Sequence, residues 1–307
     1  MDGISIEVNA GETFGFLGPN GAGKSTSIKM LCTLASPSSG SAKVAGYDVV
    51  NQRNMVRRSI GLVFQDPTLD SYLTAEQNLK FHADLYGMKR SLVSERIQEV
   101  LEMVQLWDRK DSKVNTFSGG MRRRLEIARG LMHSPRVLFL DEPTVGLDPQ
   151  TRSSIWKYIT GLHENEDITI FMTTHYMDEA EYCSRIAIVD KGKIVALGTP
   201  DELKAGVGKD RVTIEVDNIE SAQRVIGKRF SLESSVSEGM LVVSVEGGAS
   251  FVPRLFSEVD LSIKSVSVAR PSLDDVFLSY TGTTIREAEN QAPPDMMRTM
   301  MAAQARR

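Results

Sequence analysis

The chain has 307 residues, of which 41% are hydrophobic and 25% charged, and its formal net charge is −4. These ordinary values exclude a collagen, a coiled-coil rod and a wholly disordered chain. The mildly acidic balance lacks the basic charge of proteins that coat nucleic acid, so no nucleic-acid partner is expected. The two cysteines, Cys32 and Cys183, lack metal-binding spacing. No apolar run approaches the roughly 20 residues needed to cross a bilayer.

Short apolar runs alternate with helical stretches along the first two thirds of the chain. Several runs are continuously apolar, which is typical of strands buried on both faces of a parallel sheet. The alternation predicts an α/β domain over residues 1–204. Its strands are predicted at residues 13–17, 60–64, 137–140, 168–172 and 185–189.

The segment of about residues 66–117 has a helical pattern and predicts a helical insertion in this domain. Thr74 and Gln77 have the spacing of a capping box at the start of one helix. From Ile97 onward, a second helix has apolar residues at i, i+3, i+4 and i+7, which indicates one buried face.

The last third of the chain has a different pattern of apolar runs, which predicts a small α+β domain over residues 209–282. Runs at 211–216, 240–245 and 261–268 predict strands with helices between them, and a last helix is predicted near 273–278. Residues 283–307 are polar and include two adjacent prolines, so they are predicted to form a mobile tail.

A glycine-rich segment follows the first predicted strand and fits the pattern G-x-x-x-x-G-K-[ST]. Between a strand and a helix, this pattern predicts a loop whose backbone N–H groups bind phosphate. Lys24 is predicted to contact the β- and γ-phosphates of a nucleotide, and Ser25 to ligate Mg²⁺. The predicted binding loop consists of Gly18, Pro19, Asn20, Gly21, Ala22, Gly23, Lys24, Ser25 and Thr26.

Two acidic residues, Asp141 and Glu142, follow the predicted strand 137–140. α/β proteins bind ligands at the carboxyl ends of parallel strands. Asp141 is suited to hold Mg²⁺ through water, and Glu142 to accept a proton from a water that attacks the γ-phosphate. A pair of solvated acids at a strand end is the alternative, and it is the weaker one beside a phosphate loop.

Together with the segment from Phe117 to Met121, these motifs resemble the ATP-binding subunit of ATP-binding cassette (ABC) transporters over residues 1 to about 204. Ser118 is a good helix N-cap, and its hydroxyl and the N–H groups of Gly119 and Gly120 form an anion site. The resemblance implies that this site faces the γ-phosphate bound by the second subunit of a homodimer.

The resemblance assigns roles to three more residues. Gln65 resembles the glutamine that reaches Mg²⁺ and the attacking water, and His175 the histidine that contacts the γ-phosphate. Asp148 resembles the acid that crosses between subunits. The resemblance also implies ATP and Mg²⁺ as cofactors, a separate integral-membrane permease subunit, and a peripheral location at the cytoplasmic face of the membrane. The three arginines 122–124 are interpreted as a solvated helix face.

The predicted C-terminal domain indicates which type of ABC transporter the chain resembles. Its segment from Pro271 to Phe277 resembles the C-terminal extension of daunorubicin-resistance exporters. The implied function is ATP hydrolysis that drives export of drugs, antibiotics or other hydrophobic compounds. The alternative is a soluble ABC-type ATPase that acts on nucleic acid or ribosomes, but such proteins tend to have two cassettes or a long coiled-coil insertion.

The start of the chain departs from the family pattern. Family members usually have an additional strand, and an aromatic residue that stacks on adenine, before the segment equivalent to residues 2–8. No aromatic residue precedes Phe14 in this chain. The N-terminal strand is therefore expected to be missing, with the true start of the reading frame upstream of Met1.

Overall fold

The structure is a computed structural model that describes residues 1–166, 168–237, 239–259 and 261–282, with only the backbone of residues 162–166. Two compact units divide the chain between residues 199 and 200. The tail predicted at residues 283–307 lies outside the described residues. None of the described helices combines the length and the apolar composition needed to span a bilayer.

Within the described residues, the first unit is built on a six-stranded sheet with a short two-stranded hairpin beside it. Its strands are β1 (Thr13–Leu17), β2 (Lys43–Val44), β3 (Tyr47–Asp48), β4 (Ile60–Val63), β5 (Val137–Asp141), β6 (Thr169–Thr174), β7 (Arg185–Asp190) and β8 (Lys193–Gly198). The order in the large sheet is β4-β5-β6-β1-β7-β8. The first five strands in that order pair in parallel, whereas β8 pairs antiparallel with β7.

The helices of this unit are α1 (Lys24–Leu31), α2 (Arg53–Ser59), α3 (Ala75–Leu85), α4 (Arg90–Met103), α5 (Gly119–Leu131), α6 (Pro149–Glu166) and α7 (Met177–Ala180). The predicted capping box starts α3, where the Thr74 hydroxyl accepts a hydrogen bond from the Gln77 N–H and the Gln77 side chain accepts one from the Thr74 N–H. The predicted apolar face of α4 is buried and packs against α5.

Four phenylalanines pack together on one face of the sheet. Phe171 lies 5.6 Å from Phe14, 5.3 Å from Phe16 and 5.4 Å from Phe139, measured between ring centroids. Each of the four is at most 3% exposed. Full burial of such a side chain contributes about 1.5–3 kcal/mol to stability. This packing stabilises the sheet that carries the loops at the carboxyl ends of its strands.

The parallel strands place four loops at one edge of the sheet. The glycine-rich loop follows β1, Gln65 lies two residues after β4, Glu142 follows β5 and His175 follows β6. Carboxyl ends of parallel strands meet at the same edge, which is where ligands bind in such folds. The topology alone therefore brings these four segments of the sequence together.

The second unit is an antiparallel sheet with order β10-β11-β9-β12 and a core shared with two helices. Its elements are α8 (Pro200–Val207), β9 (Asp210–Val216), α9 (Ile219–Phe230), β10 (Ser234–Ser237), β11 (Met240–Val245), α10 (Gly248–Glu258), β12 (Ile263–Ala269) and α11 (Leu273–Thr281). Val212 and Ile214 of β9 face Ile226 of α9 and Leu255 of α10 in this core. The predicted fold class, an α/β domain with a helical insertion and a small α+β domain, is confirmed.

Four strands, β2, β3, β8 and β10, were not predicted from the sequence. β2 and β3 are two residues each and pair only with each other. β8 and β10 lie at the edges of their sheets, and β10 has the sequence Ser-Ser-Val-Ser with mostly exposed side chains. An edge strand is held by backbone pairing on one side, so its sequence does not need the apolar run that marks a buried strand.

Candidate active site

The loop between β1 and α1 requires glycine at several positions. Gly21 and Gly23 have φ angles of 84° and 106°, in a region that side chains rarely adopt. At Gly18, an added Cβ would lie 2.2 Å from the carbonyl oxygen of Val189. Glycine therefore allows the backbone to turn tightly and to lie close to the next strand, as the phosphate-loop pattern predicts.

Lys24, the first residue of α1, is 4% exposed and lies at the centre of the loop. Its Nζ donates hydrogen bonds to the carbonyl oxygens of Gly18 (2.8 Å) and Pro19 (3.1 Å) and lies 3.2 Å from Oε1 of Glu142. A buried ammonium group needs such partners. Its charge is thus fixed between the loop and the end of β5.

Asp141, the last residue of β5, accepts two hydrogen bonds at Oδ1. Ser25 Oγ donates over 3.1 Å and Thr173 Oγ1 over 2.6 Å. A hydroxyl and a carboxylate side by side are ligands of the oxygen type that Mg²⁺ prefers. The described residues contain no group of three or more His, Cys, Asp or Glu side chains that could hold a metal ion. The Ser25 hydroxyl and the Asp141 carboxylate offer two oxygen ligands, so a cation bound here would take its other ligands elsewhere.

The Glu142 side chain contacts three of the other candidate residues. Its Oε1 lies 3.2 Å from Lys24 Nζ and 3.4 Å from His175 Nδ1, and its Oε2 accepts a hydrogen bond from Gln65 Nε2 over 3.2 Å. Burial raises the pKa of the Glu142 carboxyl, but the interactions with His175 and Lys24 outweigh burial and hold this pKa below its usual value. The group is a buried carboxylate.

The backbone of Glu142 is also unusual. Its φ angle of 46° is in the left-handed region, which costs free energy for a side chain of this size. Its N–H donates to the carbonyl oxygen (3.2 Å) and the hydroxyl (3.1 Å) of Thr173. This conformation turns the chain sharply after β5 and directs the carboxylate toward Lys24.

Ser118, Gly119 and Asp148 form a second group, termed here the exposed edge. The Ser118 hydroxyl caps α5 by accepting a hydrogen bond from the Met121 N–H over 3.2 Å. Asp148 accepts hydrogen bonds from the N–H (2.9 Å) and hydroxyl (2.6 Å) of Thr151, which lower its pKa. All three residues of the edge are exposed.

The helices that carry the exposed edge are in close contact behind it. At Gly120, an added Cβ would lie 2.4 Å from the Cγ2 atom of Thr151 in α6. At Gly119, an added Cβ would lie 3.4 Å from Leu147. The first turns of α5 and α6 therefore present Ser118 and Asp148 on one surface.

Comparisons with known proteins agree with this geometry. A family model described as ABC transporter matches residues 1–145, and a model of the C-terminal domain of DrrA1-3-like ATP-binding proteins matches residues 198–281. The linearmycin resistance ATP-binding protein LnrL of Bacillus subtilis is 38% identical over 296 residues, which cover 94% of this chain and 95% of that protein. The chain belongs to the ABC transporter family.

Two further matches agree with the assignment of this chain to the ABC transporter family. The daunorubicin/doxorubicin resistance ATP-binding protein DrrA of Streptomyces peucetius is 38% identical over 291 residues, 92% of this chain and 88% of that protein. The structure of CbiO1 from Clostridium perfringens, part of an ABC transporter complex, matches with a TM-score of 0.62 and 30% identity, covering 75% of this chain and 88% of CbiO1.

This ABC protein is thus an ATP-hydrolysing subunit of the exporter type, as the resemblance implied. The alternative of a soluble ATPase acting on nucleic acid or ribosomes is not favoured, because these relatives are named as resistance and transporter ATP-binding proteins.

The structure brings most of the predicted site residues of the ABC protein together in one cluster, termed here the buried cluster because Lys24, Asp141 and Glu142 at its centre are buried, although Gln65 at its margin is exposed. The cluster consists of the loop 18–26 with Lys24 and Ser25, Gln65, Asp141, Glu142 and His175. Ser118, Gly119 and Asp148 lie on the exposed edge, where the hydrogen bonds described for Ser118 and Asp148 stay within the first turns of α5 and α6. The individual roles of these residues stay predictions.

The interpretation of the three arginines as a solvated face is wrong for Arg123 and Arg124. Consecutive helical residues point about 100° apart, so three of them cannot share one face. Arg122 is exposed, but Arg124 donates hydrogen bonds to the Val104 carbonyl and the Tyr158 hydroxyl. Arg123 is 7% exposed and pairs with Glu126. The opposite charge three residues later was the signal for this pair.

Sequence reasoning also missed Glu179 in α7. It is 1% exposed and accepts hydrogen bonds from the hydroxyls of Thr144 and Thr174, the latter over 2.6 Å. Burial raises the pKa of its carboxyl, although the hydrogen bond from Thr174 partly opposes this effect. Glu179 thus connects the loop after Glu142, at Thr144, with the end of β6, at Thr174. A single acid in a one-turn helix has no sequence pattern that would reveal this.

Proposed function

We propose that this chain drives export of drugs, antibiotics or other hydrophobic compounds through a separate integral-membrane permease, bound at the cytoplasmic face of the membrane. The names of its relatives support this proposal, because LnrL is a linearmycin resistance protein and DrrA a daunorubicin/doxorubicin resistance protein. The match of the second unit to DrrA1-3-like C-terminal domains supports the same class.

The observation that carries the catalytic part is the contact of one buried carboxylate with Lys24, Gln65 and His175. We assign the loop N–H groups and Lys24 to the binding of the ATP phosphates. Glu142 takes the proton of the attacking water, and its low pKa keeps it ionised and ready to do so. Gln65 orients this water, and His175 contacts the γ-phosphate.

The side chains at the end of β5 fit Mg²⁺. Ser25 and Asp141 already lie within 3.1 Å of each other and offer one hydroxyl and one carboxylate oxygen. Gln65, whose amide nitrogen donates to Glu142, has an amide oxygen to offer as a further ligand. We assign these three residues to the ion, which would neutralise charge on the β- and γ-phosphates.

The exposed edge supports a homodimer of ATP-binding subunits. Ser118 and Asp148 are exposed and have local hydrogen bonds, so their polar atoms remain accessible to a second copy. Each edge would complete the phosphate loop of the opposite subunit. A solved ATP-binding cassette described as a dimer bound to ADP and phosphate matches this chain with a TM-score of 0.57 and 28% identity, covering 63% of this chain and 88% of that one.

The helical insertion offers a surface to the membrane subunit. Phe81 and Leu85 of α3 are 67% and 70% exposed, and Tyr72 just before this helix is 78% exposed. Large apolar side chains exposed as a group mark protein–protein interaction sites. We assign this surface to the permease, next to the loop that carries Gln65.

Purification from membranes tests the proposal. The full chain is expected to co-purify with an integral-membrane protein, and the Phe81→Glu/Leu85→Glu variant to lose it while still binding ATP. Phe256→Glu is the matched control, because Phe256 is an exposed apolar residue of α10. If no integral-membrane chain accompanies the native protein under conditions where it binds ATP, the transport role would be contradicted.

A further inference from the structure

Arg123 is a charged side chain buried next to the proposed reaction site. Its Nε donates a hydrogen bond to the carbonyl oxygen of Pro143, and its Nη1 donates to that of Phe64. Its Nη2 lies 3.3 Å and 3.4 Å from the carbonyl oxygens of Asp141 and Glu142. A buried guanidinium is costly unless its donors are satisfied. Here the acceptors are the main chains of two loops.

These two loops carry two of the proposed reacting side chains. Phe64 directly precedes Gln65, and the other three carbonyl groups belong to Glu142 and its two neighbours. The Gln65 amide donates to the Glu142 carboxylate over 3.2 Å. One guanidinium group therefore holds the backbone behind both side chains.

Glu126 extends this arrangement from the same helix. It is 2% exposed, and its Oε2 accepts a hydrogen bond from Arg123 Nη1 over 2.9 Å. Its Oε1 accepts one from the N–H of Thr68 over 2.8 Å. The pair therefore binds the chain on both sides of Gln65, at Phe64 and at Thr68.

The left-handed backbone of Glu142 makes such support necessary. A φ of 46° in a residue of this kind persists only where the surroundings hold it. Arg123 donates to the carbonyl oxygens of Glu142 and of the residue on each side of it. Loss of these bonds would let the peptide relax and move the carboxylate.

We propose that Arg123, supported by Glu126, is a positioning residue for ATP hydrolysis that holds the Glu142 carboxylate and the Gln65 amide in the geometry required for attack by water. The proposal rests on the assignment of Glu142 as the general base. A misplacement of reacting groups by about 1 Å costs on the order of 10²-fold in rate. The same bonds connect Glu142 to α5, whose N-terminus carries Ser118.

The first test is Arg123→Lys, with Arg122→Lys on the exposed side of the same helix as matched control. Lysine retains the charge but has no planar group that can donate to several carbonyl groups. We expect kcat to fall about 10- to 100-fold, while the Kd for ATP stays within about twofold because Lys24 and its loop are unchanged. A kcat within twofold of the control, or a Kd that weakens as much as kcat falls, would overturn the proposal.

A double variant distinguishes the positioning role of Arg123 from the assignment of Glu142 as the general base. Because Arg123 acts through Glu142 as well as Gln65, adding Arg123→Lys to Glu142→Gln is expected to lower the residual hydrolysis by a clearly smaller factor than Arg123→Lys lowers kcat in the native chain. Losses that multiply would overturn the positioning role and leave Glu142 as the base. Full hydrolysis by Glu142→Gln alone would overturn both. If Arg123→Lys does not fold, Glu126→Gln replaces it, since its amide oxygen still accepts from Thr68, and a smaller decrease in kcat is expected.

Discussion

The buried cluster around Glu142 and the exposed edge with Ser118 differ in how their polar groups are satisfied. In the cluster, Lys24 and Glu142 are 4% and 6% exposed and are bound by neighbouring loops of the same chain. At the exposed edge, Ser118 and Asp148 are exposed, and each accepts a hydrogen bond from the first turn of the helix that follows it, α5 and α6 respectively. The chain thus preorganises one half of the site, and the other half is accessible to a second molecule.

The largest expected effect tests the cluster through Glu142→Gln. The amide can still hydrogen-bond water but cannot take its proton, so turnover is expected to fall about 10²- to 10⁴-fold. ATP binding should persist, because Lys24 and the loop are unchanged. Hydrolysis of MgATP and nucleotide affinity are measured separately, and size-exclusion chromatography with MgATP is expected to show a dimer. A variant that stays monomeric, or that hydrolyses ATP fully, would contradict this picture.

Lys24→Ala tests the cluster at the level of binding. The triphosphate loses a charged hydrogen-bond donor, and such bonds are worth about 1.5–3 kcal/mol, so the Kd for ATP is expected to rise about 10- to 150-fold. Isothermal titration with ATP measures the change. Lys29→Ala is the control. Lys29 lies in the same helix, but the helix residue paired with Glu142 is Lys24. Equal affinities would exclude Lys24 as a phosphate ligand.

Ser118→Arg tests the edge and leaves the cluster intact. An arginine at this exposed N-cap is expected to hinder close approach of a second copy without altering the phosphate loop of its own chain. If the substitution weakens dimerisation by about 2 kcal/mol, the dissociation constant of the dimer rises about 30-fold. Turnover then falls about 30-fold at protein concentrations where only a small fraction is dimeric. ATP titration of the monomer and the concentration dependence of hydrolysis measure the two effects. Loss of ATP binding by the monomer would mean that Ser118 acts within its own subunit.

The comparison also explains what the sequence could predict. The glycine loop, Asp141 and Glu142 were predictable because backbone geometry and strand ends restrict residue choice locally. The contact of Gln65 with Glu142, which are 77 positions apart, follows only once parallel pairing brings β4 beside β5. Arg123 was misread because its partners are mainly carbonyl groups, which every residue has and no sequence pattern marks.

The smallest expected effect concerns the packing of α5 at the end away from the exposed edge. Tyr86 stacks on His133, just after α5, with ring centroids 3.9 Å apart, and lies 4.7 Å from His82 of α3. Burial, with smaller contributions from Arg129 and His133, lowers the pKa of His82 from 6.5 to about 4. Protonation of His82 by acid therefore opposes the packing that supports this end of α5.

The sign of this effect follows from linkage. Because the folded pKa of His82 lies below the unfolded one, its contribution to stability is complete above about pH 6.5 and is lost as the pH falls toward 4. Such a shift corresponds to at most about 3 kcal/mol, and solvent screening of this partly exposed side chain reduces it to about 1–2 kcal/mol. Denaturant unfolding of the native chain and of His82→Gln between pH 7 and 4 measures it. The variant, which cannot titrate, is expected to lose less stability with acid, and parallel curves would show that protonation of His82 does not open this packing.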